Sequence, residues 1–156
     1  MSATAPSTPT GLVTLDREAC LRLLRTAAVG RVVVLTAGQT PVIRPVNFVF
    51  DERSQSVVFR CSGGTKLISL LGAARAWFEV DEIDAANRTG WSVIIAGVTE
   101  PVTQRHEVAR LERLALHSWV AGPDAHWIRV RARVVSGRRI DVSGRGSRPR
   151  TDQVNQ

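Results

Sequence analysis

The sequence has no apolar run approaching the roughly 18 residues that cross a bilayer as a helix. Its first ten residues, MSATAPSTPT, lack both a basic residue and an apolar core, so they do not read as a secretory signal. Cytoplasmic residence with no membrane partner is the expectation. Cysteine is scarce: Cys20 and Cys61 stand far apart, form no Cys-x-x-Cys and fit no zinc spacing, so both are expected as small buried apolar residues. Nucleotide and hydrolase signatures are also missing. There is no Gly-x-Ser-x-Gly elbow, no Gly-x-Gly-x-x-Gly fingerprint and no Walker loop; Gly63-Gly64-Thr65-Lys66 lacks the spaced first glycine. The three histidines, His106, His117 and His126, offer no shared metal geometry. Glu79 and Asp81 alternate on one strand face, but nothing joins them as a catalytic pair, and a solvated strand face is the simpler reading.

What is present suits one domain of 156 residues, with 44% hydrophobic and 22% charged residues. The net charge is +7, and a single lysine, Lys66, stands among the 21 basic residues, the rest being arginine. The surplus is spread along the chain. Only Arg129, Arg131 and Arg133, alternating on one expected strand, and the C-terminal segment concentrate it. No nucleic-acid partner is expected, because the four tryptophans are not interleaved with those arginines as a stacking platform requires.

Residues 1–13 read as a flexible arm, 14–142 as the folded domain and 143–156 as a disordered basic tail. Thr14 or Asp16 can cap a helix running through Arg25, with Gly30 stopping it. Strands are expected at Arg31–Thr36, Pro41–Phe50, Ser56–Ser62, Arg75–Glu82, Gly90–Glu100 and His126–Val135, with Gly137 separating a short continuation, Arg138–Val142. Thr65–Leu71 reads as a short helix, and Thr103 as the cap of another reaching about His117. Strands joined mostly as hairpins, without regular helical crossovers, argue for a small antiparallel barrel with helices at its ends.

Two stretches carry possible chemistry. In Phe59-Arg60-Cys61-Ser62-Gly63-Gly64-Thr65-Lys66 a strand ends, two glycines free the backbone, and a helix begins at a hydroxyl and a cation. Such a helix start favours an anion, and a phosphate would suit Thr65 and Lys66. An ordinary capped helix after a turn is the plain alternative. In Arg44-Pro45-Val46-Asn47 two polar side chains and an N–H-less residue interrupt an apolar strand. Either the strand is an edge with two solvent-facing polar groups or the neighbours of Pro45 are shaped around something other than a regular ladder. Trp91, at a strand start after a polar loop, could line a pocket or a subunit seam.

In order, LLRTAAVGRVVVL, PVIRPVNFVFDE, VVFRCSGGTKLISLL, AWFEVDEID, RTGWSVIIAGVTEPV and HWIRVRARVVSGRRI resemble the flavin-binding split-barrel family, over about residues 14–142. Within it the chain resembles the pyridoxamine 5'-phosphate oxidase-like branch that includes nitroimidazole-reductase-like proteins. The resemblance implies a mostly β fold, a six-stranded antiparallel split β-barrel with short flanking helices. It also implies a homodimer with FMN at the subunit interface. By position, Arg44, Pro45, Val46 and Asn47 would edge the isoalloxazine ring. Phe59, Arg60, Cys61 and Ser62 would border the ring and the ribityl chain. Thr65 and Lys66 would hold the phosphate, and Trp91 would come from the other subunit or its seam. True pyridoxamine phosphate oxidases have an arginine where this chain has Thr65, and a C-terminal Arg/His signature that WIRVRARVVSGRRI lacks.

The implied function is an FMN-dependent oxidoreductase passing hydride or electrons to a small-molecule substrate. The flavin would carry the redox chemistry, which accounts for a chain without catalytic side chains. A deazaflavin-dependent reductase and a flavin-storage or sensor protein are the alternatives from the same resemblance. A nucleic-acid-binding barrel is the alternative from a different class.

Overall fold

The computed structural model describes residues 11–62, 69, 71–72, 74–116, 119, 122 and 124–140. Eight strands and two helices are found among them: β1 (Leu12–Leu15), α1 (Arg17–Leu24), β2 (Val29–Leu35), β3 (Pro41–Asp51), β4 (Ser56–Cys61), β5 (Arg75–Asp84), β6 (Thr89–Pro101), α2 (Arg105–Leu111), β7 (His126–Arg131) and β8 (Val134–Ile140). Neighbouring strands run in the order β1-β8-β6-β5-β2-β3-β4-β7, and β7 pairs back onto β6. That last pairing closes β6, β5, β2, β3, β4 and β7 into a six-stranded antiparallel barrel, as expected. β8 and β1 form a ribbon on the outside of the closure.

Two long strands make the closure possible by changing partners. β6 pairs with β8 from Gly90 to Ala96 and with β7 from Thr99 to Pro101. At the changeover, a Cβ on Gly97 would lie 2.6 Å from the carbonyl oxygen of Arg131, so only glycine lets β7 come this close. β3 pairs with β2 from Pro41 to Asn47 and with β4 from Phe48 to Asp51.

The barrel interior follows the period-2 pattern of half-buried strands. Val32, Val34, Phe48, Phe50, Val57, Phe59, Phe78, Val80, Val93, Ile95, Ile128 and Val130 fill it, together with Cys20 and Leu24 of α1. Three phenylalanines meet at its centre. Phe48 stands edge-on to Phe78 at 5.0 Å between centroids, and Phe59 stacks on Phe78 at 6.0 Å. A smaller core lies outside the barrel, where Val102 and Leu111 cover Val58 and Trp127.

Several elements depart from the sequence expectations. The sheet begins at Leu12, inside the segment read as an arm, because Leu12–Leu15 pair with β8. Asp16 does cap α1, accepting a bond from Ala19 N–H at 2.7 Å, but the helix ends at Leu24. Gly30 does not stop it. It lies within β2, where a Cβ would meet the Phe78 ring at 2.4 Å. The expected His126–Val135 strand breaks at Ala132-Arg133, and Gly137, read as a separator, lies inside β8 beneath α1, 2.6 Å from Cys20 Sγ to a built Cβ. Hydrophobicity is continuous across that break, so periodicity alone could not locate it. α2 starts after Gln104, whose side chain makes no cap bond, and Thr103 is not its cap. The expected Thr65–Leu71 helix and the 143–156 tail lie largely or wholly outside the described residues.

Gly30→Ala should lower stability by about 1 to 3 kcal/mol, because the Phe78 ring is fully buried and has no room to yield. Denaturant unfolding of the variant checks this; an unchanged midpoint would show that the ring can move.

Candidate functional site

The β3–β4 register stops at Phe48↔Phe59. Before Phe48, β3 bends away to β2; beyond Phe59, β4 continues beside β7 alone. A notch therefore opens between residues 44–47 on one wall and Arg60 and Cys61 on the other. These are the stretches singled out in the sequence. Phe48 N–H donates to the carbonyl oxygen of Ala28, so the backbone groups of the even positions point to β2. By strand alternation, those of Ile43, Pro45 and Asn47 point away from β2, towards the notch edge. Pro45 costs the ladder nothing there, since its missing N–H falls on the open edge.

Side chains divide by the same parity. Val46 packs against the main core, while Arg44 on the same face is exposed and donates to the Ile43 carbonyl at 2.9 Å. Opposite, Phe59 and Cys61 are buried in that core. Burial pushes the Cys61 thiol above its ordinary range, and the positive charge of Arg44 opposes the shift. Arg60 and Asn47 turn to the outer face. The Arg60 guanidinium lies over the Trp127 ring at 5.8 Å, and its Nε is buried with no hydrogen-bond partner. Asn47 Oδ1 accepts from the backbone N–H of Trp119 at 3.0 Å and borders a groove of about 250 Å³ with Ala27, Ala28 and Trp119. Ser62 follows Cys61 and is exposed.

Trp91 is not brought to this notch within one chain. It pairs with Glu82 and Arg139 on β6, and two strands separate β6 from β3, about 14 Å across the sheet. It packs against the main core and borders a separate groove of about 420 Å³. Thr65 and Lys66 lie outside the described residues. Sequence reasoning missed Trp119 beside Asn47; 72 residues separate the two, and no local pattern signals such a contact.

The remaining charged groups largely answer one another. Glu79 and Asp81 both accept from Arg31 at 2.8 Å, which accounts for the carboxylate pair without catalysis. Arg129 and Arg131 share Glu100, and Arg129 also grips Glu107 with both terminal nitrogens. Arg133 lies beyond the end of β7, so the three arginines do not form one strand face. Among the described residues no His, Cys, Asp and Glu group could hold a metal. No described helix is long and apolar enough to cross a membrane.

The match to known proteins covers this whole arrangement. The family described as Pyridoxamine 5'-phosphate oxidase matches residues 16–139. The chain belongs to the pyridoxamine 5'-phosphate oxidase-like, flavin-binding split-barrel family. Among curated relatives, an uncharacterised protein of Mycobacterium tuberculosis is 35% identical, over 90% of this chain and 93% of its own. A solved FAD-binding protein of Mycobacterium smegmatis is 36% identical, covering 81% of this chain and 96% of its own, with a TM-score of 0.68. A candidate pyridoxamine 5'-phosphate oxidase of Corynebacterium glutamicum is 27% identical, covering 86% and 96%, with a TM-score of 0.74.

At the far end of β4, Asp51 is buried to 3% exposure and receives both terminal nitrogens of Arg110, at 2.7 and 2.8 Å. Arg110, with Ser54 assisting, lowers the Asp51 carboxyl from 3.8 to about 2. A depressed folded-state value means the contribution is complete above about pH 4 and is lost as the pH falls towards 2. It amounts to about 2 kcal/mol. Asp51→Asn should therefore be less stable than the parent at pH 7, with the gap narrowing between pH 4 and 2 in denaturant titrations; a constant gap would contradict the assignment.

Proposed function

We propose that the chain binds a phosphorylated flavin in the notch between β3 and β4 and serves as a flavin-dependent oxidoreductase acting on a small molecule. The observation that carries this is the register end at Phe48↔Phe59, which leaves an open backbone edge on one wall and a buried apolar wall on the other. The residues present fit a flavin. The Asn47 and Ile43 edge offers donors and acceptors to a planar heterocycle, Val46 and Cys61 offer an apolar bed, and Arg44 offers a cation. A bound flavin would supply hydride or single-electron transfer. The chain's own part is to orient the ring along the β3 edge, keep water from its buried side and neutralise the phosphate, a role that falls to Thr65 and Lys66.

The Mycobacterium smegmatis relative supports a flavin as the ligand class, and because FAD contains the FMN unit, the same notch suits either. Titration of flavin-free protein with FMN, FAD and a deazaflavin, followed by fluorescence, should give a dissociation constant below about 100 μM for at least one. Binding of none would end this reading. Lys66→Ala should weaken the preferred flavin roughly 10- to 150-fold through the loss of a charge-assisted phosphate contact. An unchanged constant would return Lys66 to the surface charges.

A notch open to one side needs a cover, and a homodimer supplies it, with Trp91 from the seam. The exposed apolar side chains of Ile43, Ile94, Val98 and Trp119 support such an interface. Light scattering should show a dimer of the 17.0 kDa chain when flavin is bound. A monomer at micromolar concentration with bound flavin would contradict the dimer and leave the flavin site standing.

A further inference from the structure

On the outer face of the barrel, between the β3–β4 turn, α2 and β7, lies a depression of about 480 Å³. Arg53, His106, Arg110, Arg113, Arg129 and Arg131 line it, with Glu107 the one carboxylate on its wall. The chain has gathered five guanidinium groups where like charges repel, and only part of that charge is answered. Asp51 neutralises Arg110, and Glu100 and Glu107 neutralise Arg129 and Arg131. The side chains of Arg53 and Arg113 have no partner among the described residues, so two positive charges remain over.

The paired arginines are held rather than used up. Each guanidinium has five N–H donors. Arg110 spends two on Asp51, Arg129 three on Glu100 and Glu107, and Arg131 one on Glu100. Most of the donors around the depression are therefore free, on side chains already fixed by their carboxylates. Arg129, at 11% exposure, forms the floor. Prefixed forks suit the paired oxygens of a phosphate better than a flexible lysine does. The volume is that of a small-molecule site. No Phe, Tyr or Trp lines it, so it lacks the row of large rings on which successive bases of a single strand stack.

We propose that this depression is a second ligand site, which takes a small phosphorylated anion carrying two or more negative charges. It is distinct from the flavin notch. Arg131 pairs with Ser56 at the start of β4, and Cys61 at the notch lies five residues further along, about 17 Å away. A site on the outside of the barrel, away from the redox centre, is placed to sense or anchor a phosphorylated metabolite rather than to react with it.

Calorimetric titration of the full chain with inorganic pyrophosphate tests the proposal. The expected dissociation constant is below about 1 mM. Arg53→Ala combined with Arg113→Ala, both exposed and outside any core, should weaken it at least about 10-fold and leave flavin affinity unchanged. Lys66→Ala should leave pyrophosphate binding intact. Three results would overturn the proposal: no heat of binding, equal affinity in the double variant, or loss in Lys66→Ala, which would move the phosphate to the flavin loop. A single-stranded oligonucleotide bound more tightly than pyrophosphate at about 150 mM salt, and released by the double variant, would also overturn it in favour of an extended polyanion.

Discussion

The meeting of Phe48, Phe59 and Phe78 at the centre of the barrel is the contact on which the rest depends. Phe48 and Phe59 form the last cross-strand pair between β3 and β4, and Phe78 touches both rings from β5. Gly30 makes that possible by leaving its side of β2 empty for the Phe78 ring. The trio therefore ties three strands together at one point. Immediately beyond it the two strands part, β3 turning to β2 and β4 staying with β7, while Val46 and Cys61 keep the floor between them apolar. A barrel sealed along its whole length would offer a flat outer wall. One pinned at a single level offers a cleft whose floor is hydrophobic and whose rim is bare backbone, and the candidate site is made of that cleft.

Much of this was legible in the sequence because the barrel strands obey period two and the turns carry polar or glycine-rich residues. Arg44–Asn47 and Phe59–Ser62 stood out as polar interruptions and as a strand end, and the structure sets the first stretch and Arg60–Cys61 across one notch. The remainder was hidden for identifiable reasons. The division of Arg44 and Asn47 onto opposite faces follows from alternation, but which face is inner depends on closure through β6 and β7. The break at Ala132-Arg133 lies in a run where Val130, Ala132, Val134 and Val135 keep the apolar pattern unbroken. Gly30 reads as a helix stop and Gly137 as a strand separator because sequence shows a glycine's freedom but not the ring or the thiol it makes room for. The distance of Trp91 from the notch was beyond any local pattern.

The arginine-rich composition also takes on a different meaning once placed. Arg31 bridges Glu79 and Asp81, Arg25 pairs with Glu52, and Arg129 and Arg131 divide Glu100 between them. A planar fork can serve two carboxylates or two strands at once, which a point charge does less well. The pairs around Glu100 join β6, β7 and α2, stitching the smaller outer core to the barrel. Of the strand arginines that might have met a polyanion, Arg129 and Arg131 face carboxylates of their own chain.

The ribbon of β1 and β8 stands outside the closed ring, joined to it by the pairing of β8 with β6 and by α1, with Leu15 and Val135 packed against the core. Cys20 of α1 rests directly above Gly137, so the helix acts as a clasp over the ribbon. The chain thus has two levels of cooperativity. The ring has no free margin to peel from, whereas β1, among the described residues, pairs only with β8 and can detach without disturbing a single ring pairing. Amide protons of Leu12–Leu15 would exchange with solvent through this local opening long before those of the ring, whose protection would report unfolding of the whole domain.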